Sequence, residues 1–218
     1  LVAEDYYEVN GGVIFPNPNA PTGIVVDIDF ICDILEHNQD VVVIVDEAYI
    51  DFGGQSALSL IGRYENLLVV RTFSKSRSMA GIRIGYAMGN PALIKALNDV
   101  KYSYNSYTMN YPSIVLGVES IKDDVYFKET VAKVVATREW FEKELTRLGF
   151  TCLPSASNFV FASHESIPAK IIFERAKEAG IFVRYFDKPR INNFLRISIG
   201  TDEEMKKFVC FLENLLNE

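Results

Sequence analysis

Cysteine and histidine are scarce in this sequence, and their scarcity excludes several kinds of functional site. Three cysteines and two histidines occur among 218 residues, all widely separated: Cys32, Cys152, Cys210, His37 and His164. An odd number of isolated cysteines forms neither a disulfide framework nor a metal-ligand pattern, so we expect no metal site and a reducing, cytoplasmic location. Two isolated histidines argue against a zinc centre or a serine–histidine–aspartate triad.

Clustered charge of one sign and long hydrophobic runs are lacking too. The 29 acidic and 22 basic residues give a net charge of −7 and are scattered along the chain. A nucleic-acid surface would show clustered lysine and arginine, so we expect no nucleic-acid partner. No apolar run approaches the roughly 20 residues of a membrane span, so we expect no membrane partner either.

The segment around Lys75 is the most informative part of what is present. It follows a wholly apolar run, 67–70, which predicts a buried strand, and the lysine is accompanied by Thr72, Ser74 and Arg83. A lysine in this place can form a Schiff base with an aldehyde cofactor, and the hydroxyls and the arginine can hold that cofactor's phosphate. The alternative is a solvated basic loop, which is the commoner interpretation for a lone lysine.

A second segment places an acid directly after a buried strand. Residues 41–45 are five consecutive β-branched residues, which predict a central strand, and Asp46 follows them. An acid at the carboxyl end of a central parallel strand lies where open α/β sheets bind ligands. Pyridoxal phosphate needs a carboxylate beside its pyridine nitrogen, and Tyr49 could donate to the ring's phenolate oxygen. The alternative for Asp46 is a helix N-cap.

Asparagine and proline concentrate in the loop 15–23, which follows the strand-like run 12–15. This loop contains two asparagines, three prolines and a glycine, so its backbone conformation is largely preset. A rigid loop at the end of a strand can hold a side-chain amide in a fixed position. The alternative is an ordinary turn between a strand and a helix.

The order of the predicted elements indicates an α/β fold. Strands are predicted at 12–15, 41–45, 67–71 and 82–88. A helix between the first two strands begins at Asp27 or Asp29, and another begins at Asn90 and Pro91. This alternation is typical of a doubly wound, mainly parallel sheet.

The pattern changes in the second half of the chain. Residues 102–111 contain four tyrosines and predict a polar loop, which either lines a pocket for a flat polar substrate or packs at a domain seam. A long helix then opens at Asp123 or Asp124 and ends at Gly149. Short strands follow at 150–153, 158–161, 181–184 and 194–198, with helices at 168–179 and 202–216, a stop at Gly180 and an N-cap at Thr201.

Four motifs, in order, resemble those of the fold-type I pyridoxal-phosphate aminotransferases. The motifs are Asn19-Ala-Pro-Thr-Gly23, Asp46-Glu-Ala-Tyr49, Ser74-Lys75 with Arg83, and Leu195-Arg196-Ile-Ser198. Shorter stretches are similar to the histidinol-phosphate subfamily: 49–52, 105–107, Asn158 with the two residues after it, and Val183-Arg184.

The resemblance implies that the chain is the C-terminal part of such an enzyme. Residues 1–119 would belong to the large cofactor-binding domain and 120–218 to a small α+β domain, joined by a helix at about 123–148. Members of the family carry an upstream segment with a phosphate-binding turn, an aromatic residue that stacks on the cofactor ring, and a tyrosine that one subunit contributes to the site of the other. The sequence opens at Leu1 without that segment. We therefore expect a truncated portion that is inactive alone and a homodimer when complete.

The resemblance also implies a cofactor site for pyridoxal 5′-phosphate. Lys75 would hold the cofactor and shuttle the proton, Asp46 would pair with the pyridine nitrogen, and Tyr49 would bond the phenolate oxygen. Ala20 stands where most relatives have the asparagine that also bonds this oxygen, and Asn19 is the nearest amide. The phosphate would be held by Thr72, Ser74 and Arg83.

A substrate site is implied at the arginine of the last motif. Burying Arg196 unpaired in an apolar strand is costly, so it must have a partner, and a structural salt bridge is the alternative to a substrate anion. In the histidinol-phosphate subfamily the implied role is to clamp the substrate phosphate together with Arg184, and Asn158 would complete this site. The implied reaction moves an amino group from histidinol phosphate to 2-oxoglutarate, giving imidazole-acetol phosphate and glutamate, in histidine biosynthesis.

Two further interpretations stay open. The same motifs occur in aromatic and aspartate aminotransferases and in threonine-phosphate decarboxylases, which differ in substrate. A chain without the upstream segment could instead be a non-catalytic remnant.

Overall fold

The structure, a computed structural model, describes residues 1–217, which form two compact units. The first unit comprises Leu1–Asn19 and Val25–Lys128, and the second comprises Ala20–Ile24 with the chain from Glu129 onward. Each unit has its own four-stranded sheet with helices packed against it. This α/β architecture confirms the predicted fold class.

The sheet of the first unit is parallel with one antiparallel edge. Its strands, in spatial order, are β1 (Val13–Pro16), β2 (Val43–Asp46), β3 (Leu67–Thr72) and β4 (Gly85–Gly89). The first three strands pair in parallel, whereas β4 pairs antiparallel with β3. The carboxyl ends of β2 and β3 therefore lie at the same edge, which is where the predicted cofactor residues follow them.

Four α-helices begin in the first unit, and their starts follow the capping residues in the sequence. They are α1 (Ile28–His37), α2 (Pro91–Tyr104), α3 (Tyr111–Lys122) and α4 (Asp124–Arg147), which continues into the second unit. Asp27 caps α1 by accepting the N–H of Phe30 at 2.8 Å, and Asn90 caps α2 by accepting that of Ala92 at 2.8 Å. Short 3₁₀ helices lie at Ala3–Tyr6, Ile50–Phe52, Ala57–Leu60 and Ala80–Ile82.

The core of the first unit forms where α1 packs against the parallel strands. Phe15 of β1, Val43 of β2 and Leu67 of β3 are buried against Ile31 and Leu35 of α1. The helix spacing of α1's apolar residues and the β-branched run of β2 therefore meet in one cluster, as their periodicities predict. This packing fixes the ends of the strands that carry the candidate site.

The sheet of the second unit is antiparallel throughout. Its strands are β5 (Phe150–Leu153), β6 (Phe159–His164), β7 (Arg184–Tyr185) and β8 (Leu195–Ser198), in the order β5-β6-β8-β7. Two helices accompany them, α5 (Ala169–Glu178) and α6 (Asp202–Leu216). Phe141 and Leu145 of α4 and Phe208 and Leu212 of α6 are buried in the same core as β6 and β8.

Two predicted strands begin three residues later than their sequence patterns. The strand predicted at 82–88 begins only at Gly85, because Arg83 adopts a left-handed backbone with φ +58° after a 3₁₀ turn. The strand predicted at 181–184 is reduced to Arg184–Tyr185. Its first residue, Ile181, donates its N–H to Ala176 at 2.8 Å and so finishes the C-terminal cap of α5 at Gly180 instead.

The tyrosine-rich loop predicted at 102–111 is also shorter in the structure. Helix α2 extends to Tyr104 and α3 starts at Tyr111, so only six residues separate them, and α3 itself was not predicted. Asn110 caps α3 by accepting the N–H of Ser113 at 2.9 Å, which is the sequence signal that was overlooked. The four tyrosine side chains of this region are exposed.

Candidate functional site

The predicted acid and the predicted lysine follow two neighbouring parallel strands of the first unit. Asp46 closes β2 and is the register partner of Val70 in β3. Two residues after Val70, Thr72 closes β3, and Lys75 follows in the next turn. The chain thus brings the two segments to the same edge of the sheet, at the carboxyl ends where α/β sheets bind ligands.

Asp46 organises the turn that follows its strand. Its Oδ1 accepts the N–H of Ala48 at 3.0 Å, and the side chain is half-buried. The turn leads into the 3₁₀ helix Ile50–Phe52, which is flanked by Tyr49 rather than by Asp46. The alternative role of Asp46 as a helix N-cap is therefore wrong, because no α-helix begins there.

Tyr49 and Lys75 meet at this edge, although 26 positions separate them in the chain. The Nζ of Lys75 lies 5.2 Å from the centroid of the Tyr49 ring, and both residues are half-buried. An ammonium at this distance from an aromatic face is within the range of a cation–π contact. The alternative of a freely solvated basic loop does not fit a lysine that is half-buried against an aromatic ring.

Thr72 and Ser74 form a hydroxyl pair beside the lysine. Their Oγ atoms are 2.9 Å apart, the N–H of Ser74 donates to Thr72 Oγ1 at 3.1 Å, and that oxygen also lies 3.2 Å from the carbonyl of Ile84. A serine hydroxyl that accepts one bond still carries its own proton. Backbone and side-chain donors therefore concentrate in this turn.

Arg83 lies on the same loop, and its side chain forms a hydrogen bond within its own turn. Its Nη1 donates to the carbonyl of Ala80 at 3.0 Å, and the residue is exposed. Arg83 itself adopts the left-handed backbone conformation just before β4, and a contact of its side chain with a phosphate stays a prediction.

The asparagine- and proline-rich loop is shared between the two units. Asn17, which was not predicted as a functional residue, is fully buried and accepts the N–H of Val26 at 2.9 Å while donating to its carbonyl at 3.2 Å. Asn19 is half-buried at the end of the first unit's part of the loop. The peptide bonds before Pro18 and Pro21 are cis.

The Pro-Thr-Gly part of this loop belongs to the second unit. The carbonyl of Gly23 accepts the N–H of Ala156 at 2.9 Å, and a side chain at Gly23 would meet Ser155 Oγ at 2.6 Å. Gly23 also has a φ of +80°, a conformation that favours glycine. The motif is thus required for a close backbone approach, which its sequence alone did not reveal.

A buried network around Glu47 was missed by the sequence analysis. Glu47 is fully buried and accepts from Arg71 Nη2 at 2.8 Å and from the N–H of Ala57 at 2.6 Å. The hydroxyl of Ser56 donates to Glu47 at 2.8 Å and accepts from Arg71 Nη2 at 2.8 Å. The pKa of Arg71 is raised, since the bond to Glu47 and its charge outweigh the lowering effect of burial. The overlooked signal was an arginine at the end of an apolar strand, which must find an acid.

The predicted substrate residues all belong to the second unit. Arg184 of β7 and Arg196 of β8 are direct register partners on adjacent antiparallel strands. The guanidinium of Arg196 lies 5.2 Å from the ring of Phe159 and 5.8 Å from that of Phe186, which Arg184 also approaches at 5.6 Å. Asn158 precedes β6, and its carbonyl accepts the N–H of Ile199 at 2.9 Å.

Arg196 is not held by a salt bridge within residues 1–217. Its Nε is buried and has no hydrogen-bond partner there. Two like charges that are directly opposite across strands repel each other unless an anion joins them. The alternative of a structural salt bridge is therefore not supported, and a role of the pair in binding an anion stays a prediction.

Comparison with known proteins identifies the family. The sequence model of the class I and II aminotransferases matches residues 2–212. The chain belongs to this family.

Several curated relatives of this chain share one name. A histidinol-phosphate aminotransferase of Clostridium beijerinckii is 54% identical over 214 residues, which are 98% of this chain and 60% of that protein. Other curated relatives, from Clostridium botulinum, give similar shares. The chain therefore spans about 60% of the length of the curated aminotransferases it matches.

Solved structures of two aminotransferases resemble this chain. The histidinol-phosphate aminotransferase of Clostridium acetobutylicum superimposes with a TM-score of 0.87 at 26% identity, covering 95% of this chain and 64% of that one. That of Sinorhizobium meliloti, solved with pyridoxal-5′-phosphate, has a TM-score of 0.85 at 26% identity and covers 95% of this chain and 57% of that one.

The aminotransferase chain offers a donor set that fits pyridoxal phosphate. The first unit holds a carboxylate, a phenol and an amine around one sheet edge, and the hydroxyl pair supplies donors beside the amine. Within the part of the chain that the structure describes, no cluster of histidine, cysteine and acidic residues could hold a metal ion. In the same part, no helix is long and apolar enough to span a membrane.

Proposed function

We propose that this chain is part of an aminotransferase that uses pyridoxal 5′-phosphate to move an amino group from histidinol phosphate to 2-oxoglutarate. The observation that carries the substrate assignment is the pair Arg184 and Arg196, with a buried donor that lacks a partner among residues 1–217. Guanidinium groups bind phosphate through several donors at once, and a phosphate would join these two charges. The curated relatives at about 50% identity have the same substrate in their names.

The residues of the first unit would hold the cofactor, which when bound supplies an electron sink. Lys75 holds it through its amine and moves a proton at the substrate carbon. Asp46 keeps the pyridine nitrogen protonated, and Tyr49 donates to the phenolate oxygen, with Asn19 as the nearest amide. The phosphate is bound by Thr72, Ser74 and Arg83.

The remaining roles concern the substrate and the assembly. Asn158 contributes to the substrate site, and the complete enzyme is a cytoplasmic homodimer in histidine biosynthesis. The amino donor, histidinol phosphate, would be converted to imidazole-acetol phosphate, and the acceptor, 2-oxoglutarate, would be converted to glutamate.

The arginine pair can be tested by comparing two donors that differ in the phosphate. In the longest natural polypeptide that contains this chain, Arg184→Ala or Arg196→Ala removes one charge-assisted contact. We expect a loss of about 2–4 kcal/mol of transition-state binding, roughly 30- to 1000-fold in kcat/KM, for histidinol phosphate and a small loss for histidinol.

A matched control keeps this test specific. Arg147 lies in the same unit but forms exposed ion pairs with Glu144 and Glu213, so Arg147→Ala should leave kcat/KM for both donors unchanged. Equal losses on the two donors would show that Arg184 and Arg196 do not bind the phosphate. A wild-type preference for aspartate, an aromatic amino acid or threonine phosphate would assign the chain to another substrate class.

A further inference from the structure

The loop that carries Lys75 is anchored on its first side by the network around Glu47. Arg71, four residues before the lysine, donates to Glu47 Oε2 through Nε at 2.9 Å and Nη2 at 2.8 Å. Glu47 follows Asp46 directly and is itself held by the N–H of Ala57. The start of the Lys75 loop is therefore bound to the segment that carries Asp46.

The same loop is anchored on its second side by a bond from Ser76, the residue after Lys75. Ser76 is 6% exposed, and its hydroxyl donates to Asp51 Oδ2 at 2.5 Å. The other oxygen of Asp51 lies 3.8 Å from Nη1 of Arg71, so one carboxylate contacts both sides of the loop. Asp51 is two residues from Tyr49, which lies against the lysine.

We infer that Asp51 and Ser76 are positioning residues, which hold the amine of Lys75 in place relative to Asp46 and Tyr49. The inference rests on the proposed function, in which Lys75 holds the cofactor. Each anchor ends on the short segment 46–51, so that segment and the Lys75 loop move as one body. The Asp51 side chain is 30% exposed, and losing its bond to Ser76 should disturb the loop more than the fold.

The loop itself offers direct probes of its order. The N–H of Met79 donates to the carbonyl of Phe73 at 3.0 Å, and that of Ser78 donates to the carbonyl of Lys75 at 3.0 Å. Both bonds close turns within the loop, so they open when the loop loses its anchors. Hydrogen exchange at these amides therefore measures whether the anchors order the loop.

The experiment uses the longest natural polypeptide in its cofactor-free form, with four single variants and one double variant. Ser76→Ala and Asp51→Ala each remove the bond, Ser76→Thr keeps a hydroxyl, and Asp40→Ala removes an exposed acid of the same unit as a control. Two quantities are measured: hydrogen exchange in peptides covering 73–79, and the rate at which added pyridoxal 5′-phosphate becomes fixed to Lys75 under borohydride.

We expect Ser76→Ala and Asp51→Ala to raise the exchange rate roughly 3- to 10-fold and to slow the labelling of Lys75, while the urea midpoint of unfolding stays close to that of the wild type. The double variant Asp51→Ala/Ser76→Ala should behave like Asp51→Ala alone, since Asp51→Ala already removes the bond to Ser76 together with the contact to Arg71. Ser76→Thr and Asp40→Ala should match the wild type.

The results separate failure of this inference from failure of the proposed function. If both alanine variants show the same hydrogen-exchange rate and the same labelling rate of Lys75 as the wild type, the positioning role is overturned, even if Lys75 takes the label. A change in the urea midpoint with unchanged labelling would show a structural role only. Wild-type protein that takes its label on another lysine would overturn the proposed function, whatever the exchange rates.

Discussion

At the scale of single residues, two arginines in strands differ in whether they have a partner within the chain, and this difference distinguishes a structural role from a functional one. Arg71 and Arg196 both stand in apolar strands, and the sequence demands a partner for each. Arg71 finds Glu47 within its own unit, whereas Arg196 keeps a buried donor without a partner in residues 1–217. The first is therefore part of the framework, and the second is a candidate ligand contact.

The framework role of Glu47 predicts a large loss of stability on its removal. Glu47→Ala leaves the Arg71 charge in a site where its side chain is only 17% exposed, and we expect unfolding to become easier by about 3–5 kcal/mol. The measurement is urea unfolding followed by far-ultraviolet circular dichroism.

An exposed ion pair of the same unit provides the comparison. Glu36 pairs with Arg63 at 3.0 Å, with both side chains more than half exposed, so Glu36→Ala should cost less than about 1 kcal/mol. Similar losses for the Glu36 and Glu47 variants would mean that burial does not set the strength of the Glu47 network.

At the scale of secondary-structure elements, strong hydrophobic periodicity predicted helices and strands correctly, whereas local backbone turns could not be predicted from it. The apolar stripes of α1 and α6 and the β-branched run of β2 predicted those elements within two residues. Helix α3 was hidden because tyrosines and polar residues surround its start. Arg83 has a left-handed backbone, which the apolar pattern of 82–88 does not encode, so that pattern did not reveal where β4 begins.

The start of α6 allows a quantitative test of a predicted cap. Thr201 Oγ1 accepts the N–H of Glu204 at 3.3 Å, and the Glu204 carboxylate accepts the N–H of Thr201 at 2.8 Å. Thr201→Ala should therefore destabilise the second unit by about 0.5–2 kcal/mol, measured by fluorescence of Trp140, the chain's single tryptophan.

The effect of this cap should depend on pH. The hydrogen bonds from Thr201 lower the pKa of Glu204, so the folded state binds this proton less readily than the unfolded state. That contribution is present at neutral pH and is lost as pH falls through the lowered pKa. Thr201→Ala keeps the backbone bond to Glu204 but removes the side-chain bond, so the part of its cost that comes from that bond should shrink in acid, whereas Thr201→Ser should keep the cap. A cost that stays constant with pH would contradict a role for the Glu204 charge.

At the scale of the whole molecule, the chain consists of two units that each carry half of the proposed machinery. The proposed cofactor residues lie in the first unit and the arginine pair in the second. The domain division predicted at 119–120 stays a prediction, whereas the compact units divide within α4, between Lys128 and Glu129. Sequence spacing did not show that Pro-Thr-Gly of the asparagine loop belongs to the second unit, because that depends on contacts distant in the chain.

The first unit exposes apolar side chains on two of its helices. Apolar side chains are exposed along α2 and α3, including Val100, Leu116 and Ile121. Exposed patches of this kind are rare on the surface of soluble monomers. That the 218 residues alone are inactive stays a prediction, which this exposure does not test.

The most direct test of the account is to find which lysine carries the cofactor. The longest natural polypeptide that contains this chain would be loaded with pyridoxal 5′-phosphate, reduced with borohydride, digested and mapped by mass spectrometry. The account predicts the label on Lys75 and the loss of transamination in Lys75→Ala and Lys75→Arg, since a guanidinium cannot replace the amine. A label on Lys95 or Lys101 with Lys75 unmodified would contradict it.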